Sequence, residues 1–160
     1  MLIRKAIISD INPLMDIYDH ARQFMRSVGN ANQWINGYPS EEIIRKDILN
    51  GNSYVCINNN VIVGVFCFFQ GDDPTYTKIY DGEWLDDKPY GVIHRLASSG
   101  TVKGVADFCF QWCYQQCGNI RVDTHKDNTV LQHVLRKNGY KQCGIIYISN
   151  GTQRIAFQKN

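Results

Sequence analysis

The feature that most narrows the fold is the apolar run Val61-Ile62-Val63-Gly64-Val65-Phe66-Cys67-Phe68-Phe69. It is rich in β-branched and aromatic residues and far shorter than the roughly 20 residues a membrane-crossing helix needs, so it reads as a strand. A strand apolar on both faces belongs in the middle of a sheet. Its neighbour precedes it: Ser53-Tyr54-Val55-Cys56-Ile57 runs into Asn58-Asn59-Asn60, and Asn tolerates the left-handed backbone that short hairpin turns require. An antiparallel hairpin is therefore expected here.

Other elements arrange themselves around that hairpin. Leu2 to Ala6 forms a short first strand, and Ile11, Leu14, Met15, Ile17 and Tyr18 recur at helical spacing behind the Ser9-Asp10 cap, predicting a helix to about Arg26. Residues 28–32 break it, and Gln33 to Pro39 make an irregular aromatic loop. Ser40 opens a second helix that stops near Asn50-Gly51. From Gly71 to Pro89 the chain is polar, acidic and irregular, a length that in a small domain marks either a functional loop or a solvated insertion. Ile120 to His125 forms a further strand, Asp127-Asn128 caps a helix ended by Gly139, and a last hairpin turns about Asn150-Gly151. The order βααβββαβαββ predicts a mixed α/β sheet of about seven strands in one domain, residues 1–160, with room for a real core.

One stretch points beyond structure. Val92 to Ala97 reads as a strand, Ser98-Ser99-Gly100 as a small-residue loop, and Thr101 to Ala106 as the opening of a helix reaching Gln116. Small residues let the backbone approach a ligand, and a helix start presents free N–H groups and the positive end of its dipole, which together suit a phosphate or pyrophosphate. No Gly-Lys-Ser/Thr follows, so this is not a Walker loop, and no Gly-x-Gly-x-x-Gly turn opens the chain as in a Rossmann fold.

That stretch resembles the pyrophosphate loop of the GNAT superfamily of N-acetyltransferases, in which Arg or Gln is followed by two variable residues, Gly, one more, and Gly or Ala. Thr101 stands in the Arg/Gln slot, Gly104 in the Gly slot and Ala106 in the last, while Leu96 and Ser98 stand where the family usually has Val and Pro. Downstream, Asn128, Leu131, Leu135, Gly139 and Tyr140 resemble the family's Asn…Gly-Phe/Tyr helix and turn beside the coenzyme arm. The resemblance covers the second half of the chain closely and the first half in outline. It implies the GNAT-type acyl-CoA N-acyltransferase fold, a mostly antiparallel seven-stranded sheet with about four helices. The implied activity is transfer of acetyl from acetyl-CoA, a co-substrate, to a small-molecule or peptide amine, with no metal and with dimers common in the family. Leu96, Ala97, Ser98, Thr101, Val102, Lys103, Gly104, Val105, Ala106 and Asn128 become the candidate coenzyme contacts.

Acetyl transfer to an amine also needs a base. His94 is the candidate, because alternation sets it on one strand face with Val92 and Leu96 and its titration range suits the task. The strand ending at His125 is expected to splay from the one bearing His94, opening a slot for the acetyl group. Trp34 and Tyr38 in the aromatic loop, with Tyr80 and Glu83 in the acidic segment, are candidate acceptor contacts. Asp123 and His125, two apart, form a further candidate proton relay. The sequence departs from the family at Leu135, seven residues after Asn128, where a Tyr commonly serves as general acid. Two rivals stand beside this reading: a non-catalytic acyl-CoA-binding protein of the same fold, and a Cys/His hydrolase using Cys67 or Cys109 with His94.

Charge and cysteine usage limit the remaining classes. A net charge of +2 with mixed signs and no basic run gives nothing for nucleic acid to bind. The start Met1-Leu2-Ile3-Arg4-Lys5 lacks a signal peptide's apolar core and no apolar run is long enough to span a bilayer, so a soluble cytoplasmic protein without membrane partners is expected. Six cysteines lie within apolar patterns without Cys-x-x-Cys spacing, which predicts reduced, buried thiols and no metal centre.

Overall fold

The computed structural model describes residues 1–160. Strand β3 (Val61–Gln70) lies inside a seven-stranded sheet, with Val63 to Phe68 all buried. It pairs antiparallel with β2 (Ser53–Asn58) across a turn in which Asn59 and Asn60 hold φ of 49° and 62°. Strand β1 (Leu2–Lys5) extends the sheet beyond β2, and β4 (Gly91–Ser98) flanks β3 on its other side. Beyond β4 come β5 (Ile120–Thr124), β7 (Gln153–Lys159) and β6 (Lys141–Tyr147), giving the order β1-β2-β3-β4-β5-β7-β6. Every pairing is antiparallel except β4 with β5.

Helices cover both faces, as the apolar pattern of β3 requires. On one face α1 (Ile11–Ser27) and α2 (Glu41–Leu49) pack Leu14, Ile17, Tyr18 and Ile44 against Val55, Val65 and Ala97. On the other, α3 (Val105–Cys117) and α4 (Thr129–Lys137) pack Cys109, Phe110, Cys113 and Leu135 against Phe66, Phe68, Ile93 and Val122. Two caps fall where the sequence places them: Ser40 Oγ accepts from Ile43 N at 3.3 Å, and Asn128 Oδ1 accepts from Leu131 N at 3.0 Å. The expected Ser9-Asp10 cap does not form, because the Asp10 carboxylate turns back to Arg4 and Ile7 N. All six thiols are free, and five of them are buried. No helix is long and apolar enough to cross a membrane.

Two local features differ from the sequence reading, and both shape the site. Helix α3 begins at Val105 rather than at Thr101, because Gly104 holds a left-handed φ of 78° that cannot continue a helix, and residues 101–104 form turns instead. Strand β4 carries a bulge: its register passes from Cys67↔His94 to Val65↔Ala97, so Arg95 and Leu96 together oppose Phe66, and Arg95 takes a φ of 53°. The extra residue breaks the alternation. Leu96 therefore packs with Ile93 on the α3 side, whereas His94 lies against Phe69 and Tyr76 on the opposite face with Val92.

The segment between β3 and β4 is packed onto the sheet rather than solvated. Tyr76 is 1% exposed, Tyr80 and Ile145 exchange backbone hydrogen bonds of 2.8 Å, and Trp84 Nε1 donates to Tyr76 O at 3.0 Å. Its residues Tyr76 and Trp84 join a third apolar cluster with Tyr90, Val92, Ile146 and Ala156.

Candidate functional site

Strands β4 and β5 pair only at Gly91↔Ile120 and Val92↔Arg121, then part as the sequence reading expected. A cavity of about 800 Å³ occupies the gap, within the size range of small-molecule sites. Its wall includes His94, Leu96, Ala97 and Ser98 from β4, Val105 and Ala106 from α3, and Asp123 from β5. Parallel strands so briefly joined leave the β4 edge from His94 onward without a β5 partner, an edge an extended ligand can pair with.

At one end lies the turn into α3. The backbone N–H groups of Lys103, Gly104 and the first turn of α3 find no acceptor in the protein. A side-chain carbon added at Gly104 would meet nothing within 4 Å, so open space lies beside this residue, whose own N–H is one of these donors. Gly100 is different: an added carbon there would sit 2.7 Å from His20 Nε2, so the loop runs tight against α1. Thr101 Oγ1 and Ser99 Oγ lie 2.7 Å apart and brace the turn. Thr101, Val102, Lys103 and Gly104 form this turn without standing in the cavity wall itself.

His94 stands where the strands separate. Its Nε2 is 2.6 Å from Asp73 Oδ2, and Asp73 Oδ1 accepts from Thr75 N at 2.9 Å, capping a single 3-10 turn over Pro74–Tyr76. Burial would raise the Asp73 carboxyl, but the His94 hydrogen bond and charge, with Thr75, hold it below the usual carboxylate range. An ionised carboxylate only accepts, so Nε2 carries the proton and Nδ1, which no protein group engages, is the basic nitrogen. Asp73 was not legible as a partner of His94, being 21 residues away in the acidic loop.

Beside His94 the bulge turns Arg95 toward α2. Its Nε and Nη2 each donate to Asp47 at 2.8 Å, its Nη1 reaches Tyr38 Oη at 3.1 Å, and its carbonyl accepts from Tyr18 Oη at 2.8 Å. This network fixes the aromatic loop, in which Trp34 lies between the rings of Tyr18 and Tyr38 at 5.7 and 6.2 Å. Trp34 and Tyr38 both stand in the cavity wall. Tyr80 and Glu83 do not, because their backbones are bonded to Ile145 and Cys143 on β6, and the Tyr80 ring packs on Tyr147.

Asn128 lies in the wall but commits its side chain internally: Oδ1 caps α4 and Nδ2 donates to Gln33 Oε1 at 2.9 Å, tying the aromatic loop to the helix. Asp123 and His125 do not form a relay. Asp123 Oδ2 accepts from Tyr76 Oη at 2.7 Å, while His125 Nδ1 accepts from Asp127 N at 3.0 Å, and burial holds the His125 imidazole below its ordinary range. Burial pushes the Cys67 thiol up to about 12, and the hydrogen bond with Cys56, followed by burial, pushes the Cys109 thiol upward, which removes the thiolate that a hydrolase would need.

No family profile and no curated protein sequence matches the chain. Among solved structures it is similar to a GNAT-family acetyltransferase from Streptococcus agalactiae 2603 at 33% identity, with a TM-score of 0.90 over 99% of this chain and 94% of the other. The chain belongs to the GNAT acetyltransferase family. A GNAT-family acetyltransferase from Listeria monocytogenes 4b F2365 shares the fold at 17% identity, TM-score 0.73, over 99% and 93% of the two chains. The NatC complex bound to Gag peptide and CoA shares it at 13% identity, TM-score 0.59, over 99% and 96%. This GNAT protein departs from the family pattern at Leu135, which is fully buried among Phe110 and Phe157 in the core and offers no proton.

Proposed function

We propose that residues 1–160 form one N-acetyltransferase domain that moves an acetyl group from acetyl-CoA directly to a primary amine of a small molecule or peptide. One observation carries this reading: His94, oriented by Asp73, opens into the same cavity as the start of α3, whose N–H groups are unpaired within the protein. The open space at Gly104 fits a coenzyme pyrophosphate, held by the N–H groups of residues 103–106 and the helix dipole. Leu96, Ala97 and Ser98 lie along the β4 edge where the arm of the coenzyme would run. A bound acetyl thioester supplies an activated acyl carbon.

The chain's own groups do the rest. Trp34 and Tyr38 shape the acceptor end of the cavity, and the Asp123 carboxylate favours a cationic amine there. His94 Nδ1 takes the proton that the amine must lose, and the Asp73 carboxylate stabilises the imidazolium that results. The thiolate departs without a tyrosine donor, a tolerable leaving group given a thiol's modest pKa.

Leu135 favours a second reading, an acyl-CoA-binding sensor without turnover, since that position lacks the family's usual acid. A thermal-shift series with acetyl-CoA, followed by an amine screen with free-thiol detection, separates the two. A rise in melting temperature with amine-dependent thiol release supports the transferase, and a rise without release supports the sensor. No shift at millimolar ligand overturns both.

A further inference from the structure

Arg95, Arg121 and Arg154 are all largely withdrawn from water, and their charges are met differently. Arg95 forms a two-bond fork with Asp47 through Nε and Nη2. Arg121 lies between the rings of Trp84 and Tyr90, 4.3 and 4.0 Å from their centroids. Arg154 has neither a carboxylate nor a ring. Its Nη1 donates to Thr152 Oγ1 at 3.1 Å and Gln153 O at 2.9 Å, and its Nη2 to Gln33 O at 3.2 Å, all neutral acceptors.

Arg154 is 5% exposed, yet it stands in the wall of the cavity. A guanidinium so buried is expensive to leave without a counter-charge. The Nε–Nη2 edge, which Arg95 uses to grip Asp47, carries at Arg154 only the Gln33 carbonyl, and Nε has no protein acceptor. Nor is that Nε sealed in the interior as Arg121 Nε is. Asp123, the acidic group whose charge acts most on Arg154, lies beyond ion-pair distance and accepts from Tyr76.

We propose that Arg154 receives a carboxylate of the acceptor, and that the acceptor is a free amino acid or close analogue whose ammonium group lies toward Asp123 and His94. This rests on the acetyltransferase reading for its amine and on Arg154 for its acid. Trp34, Ile35, Val130 and Ile148, also in the wall, favour an apolar side chain on that acceptor. Bidentate pairing of a planar carboxylate is the task for which an arginine fork is shaped.

The test compares leucine, methionine and phenylalanine with their amides as ligands of the CoA-loaded protein, by calorimetry. At least one acid is expected to bind roughly ten- to a hundredfold more tightly than its amide, the scale of a charge-assisted pair. Arg154→Gln should erase that preference while leaving CoA affinity and amide binding unchanged, and Arg154→Lys, which keeps the charge but loses the fork, should restore part of it. Amides binding as tightly as acids, equal weakening of both by Arg154→Gln, or binding of neither overturns the assignment. Turnover is then read separately: acids that bind but are never acetylated sink the transferase reading and leave Arg154's role intact, whereas amides acetylated in preference to acids do the reverse.

Discussion

Replacing Asp73 with Asn probes the arrangement around His94 with almost no change of shape. The side chain of Asp73 is 9% exposed and that of His94 24%, so their 2.6 Å contact is shielded from water. Asn has a single oxygen, so either that neutral oxygen faces Nε2 and Thr75 N loses its acceptor, or the oxygen stays on Thr75 N and an N–H group is set against Nε2. In the first case the imidazolium formed during proton transfer loses its ionic partner. A hydrogen bond to a charged group contributes about 1.5–3 kcal/mol, and about 1.4 kcal/mol corresponds to tenfold in rate. The turnover rate should therefore fall roughly ten- to a hundredfold. In the second case Nε2 becomes an acceptor, the proton moves to Nδ1, and the fall is larger because the basic nitrogen is gone. The assay is steady-state thiol release across pH, with CoA affinity measured alongside. Affinity should hold, and the defect should shrink at high pH, where the amine deprotonates in solution. Wild-type turnover in a stable Asp73→Asn protein would refute the base assignment together with Asp73's part in it.

Three other perturbations follow from the same contacts. Gly104→Asp should abolish CoA binding, since it places a carboxylate in the open space beside that residue and strains a φ of 78°, and a folded variant that binds normally in calorimetry would move the anion site elsewhere. Asp47→Ala leaves the Arg95 guanidinium buried without its fork and should cost about 3–5 kcal/mol in denaturant unfolding; a loss below 1 kcal/mol would mean that the bulge does not depend on that pair. His125 has its pKa lowered by burial, so its neutral form contributes stability that is whole above about pH 6.5 and is lost as pH falls through the folded-state value. His125→Asn, which keeps an acceptor for Asp127 N, should flatten that part of the stability–pH curve, and an unchanged slope would exclude His125 as its source.

Much of the fold is legible in the sequence because its signals are local. The two-faced apolar run of β3, the Asn turn before it, and the caps at Ser40 and Asn128 each determine their own element. The splay of β5 from β4 followed from the family resemblance. What escaped depends on contacts distant in sequence or on backbone geometry that residue type does not announce. Arg95 looks like any strand residue, and nothing nearby declares that it will take a left-handed φ, so the face assigned to Leu96 was reversed. Asp73 is one acid among several in its loop until Tyr90 Oη, 3.0 Å from its amide, anchors it beside β4. Tyr80 and Glu83 were drawn toward the site by their chemistry, but the backbone pairing of their segment with β6 carries them away from the cavity. Gly104 was the one correction with a visible cue, since a glycine just before a helical pattern marks a start as readily as a binding loop.

The proposed transfer of acetyl to an amine in this cavity has His94 as its base. Its most direct measurement is acceptor-dependent thiol release from acetyl-CoA by the wild-type protein and by His94→Ala, both shown to bind CoA. Release by the wild type is expected, with a loss of roughly a hundredfold or more in His94→Ala at neutral pH and partial recovery as pH rises. Equal release by the two proteins, or none by the wild type with any amine despite bound CoA, would contradict the proposed transfer through His94.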